Sequence, residues 1–271
     1  MRPVALLVAG TALLAGCTDL PAVQNFASTA STISLNEPVF SGWPDAYQRM
    51  TNLAGSGVVR AYDPKAEQSF VAETSQDTAD ARLATQAARM LGLYLQALAQ
   101  LAGGATPDVG KQASAIQSSI ETGGIANPEV ATATRALSLL LNSSQNATVG
   151  IIVERANGPV QTITTYLAAT ADAIRLAYKR AMLASDQYWT SIGVRAGNPY
   201  IRLLVLQRAM TDDDTYYSEQ MSRAAAAKVA FTKIGADHAA LAGNANDLAG
   251  AYATLAADQP LLQSALAAIL K

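Results

Sequence analysis

Few side chains in this sequence have types and spacing that could do chemistry. There is one cysteine, Cys17, and one histidine, His238. A disulfide framework needs a second thiol, and a His/Cys zinc site needs three or four ligands, so neither can form within the chain. A serine hydrolase needs a base beside its nucleophile, and His238 is the sole imidazole. It falls on an apolar helical seam, where a lone polar residue fixes register. The sharper alternative is a pH-sensitive seam residue, because imidazole titrates near neutrality. Asp212-Asp213-Asp214 puts three carboxylates in a row. Neighbours on a helix diverge by about 100°, so they cannot converge on one ion. A solvated face is expected there, or a local break between Met210 and Tyr216 capped by these aspartates. Arg175, Lys179 and Arg180 read as a small basic patch in which Asp172 and Arg175 pair, with anionic head groups as the alternative partner. Gly55-Ser56-Gly57 lacks the spacing and the Lys-Ser/Thr ending of a phosphate loop. No catalytic residue, metal or cofactor is assigned, and no spacing singles out a pair of carboxylates.

The composition points the same way. Of 271 residues, 50% are hydrophobic and only 15% are charged, against an average near 25%. That is too apolar for a disordered chain. With 19 basic and 21 acidic side chains there is no cationic surplus for a phosphate backbone, so no nucleic-acid partner is expected.

The lone thiol has a specific setting. Arg2 precedes an apolar run from Val4 to Gly16 that is too short to span a bilayer of about 30 Å as a permanent helix. That is the layout of a secretory signal peptide. The run ends Leu14-Ala15-Gly16-Cys17, which resembles the lipobox of bacterial lipoproteins. The resemblance covers about seventeen residues and concerns anchoring alone. It implies cleavage between Gly16 and Cys17, a diacylglyceryl group on the Cys17 thiol and commonly a further acyl chain, such as palmitate, on its amine. Two or more chains on one residue make a stable membrane anchor. Thr18 after the cysteine favours the outer membrane, facing the periplasm, while Asp19 one place later leaves the inner membrane open.

Helices must position whatever the rest of the chain does. In residues 18–34, Leu20, Val23, Phe26, Ala30 and Ile33 keep a three-to-four spacing, which predicts a weak amphipathic helix. Pro38, Gly42, Pro44, Gly55 and Gly57 then break the pattern up to Pro64. Phe40, Trp43 and Tyr47 fall in this piece and either pack back onto the bundle or form a docking loop. Asp63-Pro64 starts a long helix with Leu83, Ala87, Met90, Tyr94 and Leu98 on one stripe, stopped by Gly103-Gly104. Thr106-Pro107-Asp108 and Asn127-Pro128-Glu129 start two shorter helices. Asn157-Gly158-Pro159 reads as a stop or kink before a long helix from Val160 to Val194, whose far end carries Tyr188, Trp189 and Ile192. After Gly197-Asn198-Pro199, the run Ala224, Ala227, Phe231, Ile234, His238, Leu241, Ala245, Leu248, Tyr252, Leu255 keeps a coiled-coil period. Gly243-Asn244 is read as a bend within it, and Asp258-Gln259-Pro260 as its end.

The expectation is an all-α, elongated antiparallel helical bundle with coiled-coil-like long helices near 64–102, 160–194 and 200–256. Its organisation is a cleaved signal peptide over 1–16, a lipidated N-terminal segment over 17–63 and the bundle over 64–271. The functional expectation is a non-catalytic scaffold or adaptor, anchored through Cys17, that holds an envelope protein or a second copy of itself. The alternatives are an apolar small molecule or lipid bound between helices, and a membrane-active or toxin-related helical protein.

Overall fold

The computed structural model describes residues 20–35, 38–44, 64–122, 127–143, 148–195, 199–245 and 249–270. The described residues are helical with short turns and contain no strand. We number the helices α1 (Leu20–Leu35), α2 (Pro38–Ser41), α3 (Pro64–Ala102), α4 (Gly110–Thr122), α5 (Pro128–Ser143), α6 (Val149–Arg195), α7 (Pro199–Gly243) and α8 (Ala249–Ile269). They pack as an all-α bundle. With 47 residues, α6 is about 70 Å long at 1.5 Å per residue, so the bundle is elongated.

Local sequence sets the helix ends. Gly104 takes φ +78°, the left-handed conformation that glycine adopts without steric cost. Its N–H bonds to Leu101 O at 3.0 Å and that of Ala105 to Gln100 O at 2.8 Å, closing α3 with a Schellman cap. Asn127 Oδ1 accepts from the backbone N–H groups of Glu129 and Val130 at 3.1 and 3.2 Å, capping α5, with Pro128 at its first position.

The long spine is an antiparallel pair. Going up α6, Asn157, Gln161, Asp172 and Ser185 meet His238, Gly235, Lys228 and Asp213 in descending order on α7. The helices come so close that a Cβ at Gly235 would lie 2.6 Å from Thr164 Oγ1. The expected stripes line the core: Leu83, Met90, Tyr94 and Leu98 on α3, Ile163, Leu167, Ile174 and Tyr178 on α6, and Phe231, Ile234 and Leu241 on α7 are buried. Each such side chain contributes about 1.5–3 kcal/mol by leaving water.

Several sequence expectations are corrected. The chain does not stop at Asn157-Gly158-Pro159, and α6 runs continuously from Val149 through Pro159. A mid-helix proline forfeits one backbone bond at roughly 3 kcal/mol. Ala156, Val160 and Ile163, fully buried on either side, offset that cost. Pro260 is likewise internal to α8, where Leu262, Ala265 and Ile269 continue the buried face. The 224–255 run is not one helix. α7 ends at Gly243, where Asn244 Nδ2 donates to Ala240 O at 2.8 Å, and the chain returns as α8. Two helices of a hairpin thus share one apparent period. No break separates Met210 from Tyr216, because α7 passes straight through the three aspartates. α4 starts at Gly110, four residues after Thr106. The weak helix predicted before residue 35 is α1, an inner helix: Val23, Phe26, Ala27, Ala30 and Ile33 are buried and share the core of the later helices.

Candidate functional site

Residues 237 and 238 of α7 point two ionisable side chains into different interfaces, and the polar groups around them are the chemical centre of the bundle. His238 faces α3 and α6. Its Nε2 lies 2.7 Å from the Tyr94 hydroxyl and its Nδ1 3.4 Å from Asn157 Oδ1. An amide oxygen only accepts, so Nδ1 carries the ring proton and Nε2 accepts from the Tyr94 hydroxyl. Gln161 Nε2 donates to Gly235 O at 2.7 Å and reaches Asn157 Oδ1 at 3.4 Å, tying the layer to the α7 backbone. The Tyr94 and His238 rings are 5.5 Å apart, and neither side chain is exposed. Burial holds the imidazole neutral, pushing its pKa down to about 3, and raises the Tyr94 hydroxyl well above its usual value. The lone histidine thus joins α7 to α3 and α6 through its two ring nitrogens. Burial disfavours the charged imidazole that the pH-sensitive alternative requires.

Asp237 faces α8. It is fully buried, and neither carboxylate oxygen has a hydrogen-bond partner. Lys233, one turn back, sits 3.8 Å from Asp237 Oδ1 and forms its tighter ion pair with Asp258 of α8. Burial first, then the carboxyl of Asp258, push the Asp237 pKa up to about 7. The hydrogen bond to Lys233 holds Asp258 below the usual carboxylate range, and the same bond raises Lys233. One turn of α7 thus carries a carboxyl poised to hold its proton near neutrality. Sequence reasoning missed this pair. Its signal was available only once α8 is laid back along α7, which brings Asp258 to Lys233 and Asp237.

The other expected residues separate. Phe40 and Trp43 are buried, so the docking loop gives way to packing. Phe40 lies 5.7 Å from the Phe231 ring, and the Tyr178 hydroxyl donates to Gly42 O at 2.9 Å, pinning this segment on α6 and α7. Tyr47, Gly16 and Cys17 lie outside the described residues, as do the side chains of Tyr188, Trp189 and Ile192. Asp213 accepts from buried Ser185 at 2.7 Å. Burial and then the nearby Asp214 and Asp213 raise Asp186. No group of three metal-ligating side chains occurs among the described residues. Asp172 pairs with Arg175 at 3.1 Å, as expected, and also with Lys228 of α7 at 3.3 Å. An open groove of about 650 Å³ runs between α1 and α3, lined by uncharged polar groups including Gln24, Asn25, Ser28, Gln96 and Gln100.

Comparison with known protein families, with curated proteins and with solved structures found no match to this chain.

Proposed function

We propose that this protein is a lipid-anchored scaffold of the bacterial envelope, held at the membrane through Cys17 and working through its outer surface. One observation carries the reading. The lipobox-like Leu14-Ala15-Gly16-Cys17 ends only three residues before α1, and α1 is an inner helix of the bundle. A lipid on Cys17 therefore holds the folded bundle directly at the bilayer, with no long tether between them. A further support is chemical: the histidine that an acid–base site would use is sealed inside, hydrogen-bonded to Tyr94. Leu176 and Leu183, two turns apart on α6, are about half exposed and offer an apolar contact for a partner protein. No helix among the described residues is long and apolar enough to cross a membrane. An apolar ligand or a membrane-inserting rearrangement would have to displace Tyr94, Leu91, Leu95 and Leu98, which fill the centre.

The test is to express wild type and Cys17→Ser and follow both acylation and fractionation. The wild type takes up labelled palmitate and sediments with outer membranes, whereas Cys17→Ser stays soluble and unlabelled. Photocrosslinking from position 176 or 183 then recovers the same envelope protein, or a second copy, from the anchored form. A wild-type protein that is secreted without lipid contradicts the anchor, and crosslinks no different from those at an exposed polar control site contradict the scaffold.

A further inference from the structure

The α7–α8 interface contains a charge arrangement that balances in only one protonation state. With Asp237 protonated, its hydroxyl donates to Asp258, and Lys233 neutralises the single carboxylate left, so the cluster carries no net charge. With Asp237 ionised, two carboxylates share one ammonium, and the excess negative charge sits on a fully buried side chain with no hydrogen-bond donor. Among the described residues no other charged group acts on Asp237. α1 has no charged side chain, and the α6 groups that reach this part of α7, Asn157 and Gln161, are uncharged. His238, the next residue, is turned to Tyr94 and stays neutral. α8 is otherwise held by its apolar face, with Leu255, Leu262 and Ile269 buried, and by the 2.7 Å bond from Gln259 Nε2 to Thr29 Oγ1 on α1.

We propose that Asp237, Lys233 and Asp258 form a proton-dependent clasp that closes the C-terminal helix α8 over α7 and α1 when Asp237 is protonated and loosens it when the proton leaves. The direction follows from linkage. The closed carboxyl titrates near 7, and the released one at its ordinary value near 4. Opening therefore releases one proton between those values and becomes about tenfold easier per pH unit from pH 4 to 7. Above 7 both forms are ionised and the dependence ends. An opened α8 uncovers apolar surface on α1 and α7 that is sealed in the closed form.

Amide hydrogen exchange of the full-length protein, corrected for the intrinsic pH dependence, reads this directly. In the wild type, the opening ratio of α8 amides rises more than tenfold between pH 5 and 7 and levels off above 7, while the amides of α3 around Tyr94 show no parallel rise. Asp237→Asn, which keeps the donor to Asp258 but cannot ionise, removes the rise. A flat wild-type profile overturns the clasp, as does a rise retained in Asp237→Asn or one shared equally by α3. Asp258→Asn gives a second reading that survives poor folding of the first variant. It leaves Lys233 to Asp237 alone, so the plateau begins at a lower pH. An unshifted plateau contradicts the proposal.

Discussion

Asp237 and His238 are neighbours on one helix, equally buried, and differ in what meets them. His238 is matched group for group: Tyr94 donates to one nitrogen and Asn157 accepts from the other. Asp237 finds no hydrogen-bond donor, only an ammonium 3.8 Å away that is engaged more closely elsewhere. Burial pushes both groups toward their neutral forms, the imidazole down and the carboxyl up. The neutral histidine then stabilises the bundle, whereas the aspartate costs stability whenever it ionises. The comparison teaches that burial alone does not define a polar residue's role. The partners available to each protonation state do.

The largest expected effect comes from removing the unsatisfied charge. Asp237→Asn should raise stability at pH 8 by a few kcal/mol, and the gain should shrink toward pH 5 as the wild-type carboxyl takes up its proton. Denaturant unfolding at the two pH values checks this, and equal stability of variant and wild type at pH 8 would break the contrast with His238.

Next comes the satisfied group. His238→Leu strands the Tyr94 hydroxyl and leaves Asn157 Oδ1 with Gln161 as its donor, which should cost about 1–3 kcal/mol. Tyr94→Phe combined with His238→Leu should recover much of the loss, since a matched apolar pair leaves no stranded hydroxyl at that contact. A double-mutant cycle with no coupling between the two positions would show that the 2.7 Å contact contributes nothing.

The pH slopes of the two residues oppose one another. His238 binds its proton only in the unfolded chain between pH 6.5 and 3, so its contribution is present above 6.5 and is lost as pH falls toward 3. Asp237 binds its proton in the folded chain between about 4 and 7, so its contribution falls as pH rises through that range. Each limiting slope is about 1.4 kcal/mol per pH unit, and they offset between pH 4 and 6.5. Asp237→Asn should therefore expose the histidine slope, making the protein lose stability on acidification more steeply than wild type. Parallel slopes in the two proteins would contradict the assignment. The smallest effect should be at the surface: Asp172→Ala, which removes the partner of Arg175 and Lys228, should leave denaturant unfolding nearly unchanged, because solvent screens these pairs.

Much of the fold was legible because helix signals are local. Gly103-Gly104 and Asn127-Pro128 gave correct ends, and the stripes on α3 and α6 gave correct buried faces. The failures share a cause. Pro159, Pro260 and the Gly243-Asn244 turn were judged from local preference, but tertiary packing decided them. Ala156 and Val160 hold α6 together across a proline, and the antiparallel return of α8 turns a mild interruption into a true stop. The candidate site was half legible for the same reason. His238 showed itself as a polar residue in an apolar period. Tyr94, Asn157 and Asp258 could not be joined to it or to Asp237 until the helices were placed side by side.

The proposal that function lies at the surface and the anchor draws most directly on the state of the lone imidazole, which is buried and hydrogen-bonded to Tyr94. Nitrogen NMR of the His238 ring, unambiguous because it is the only histidine, measures that state. The account predicts a neutral ring with its proton on Nδ1 and no titration from pH 8 down to pH 5. A ring that takes up a proton near pH 6.5, or one with its proton on Nε2, would contradict it.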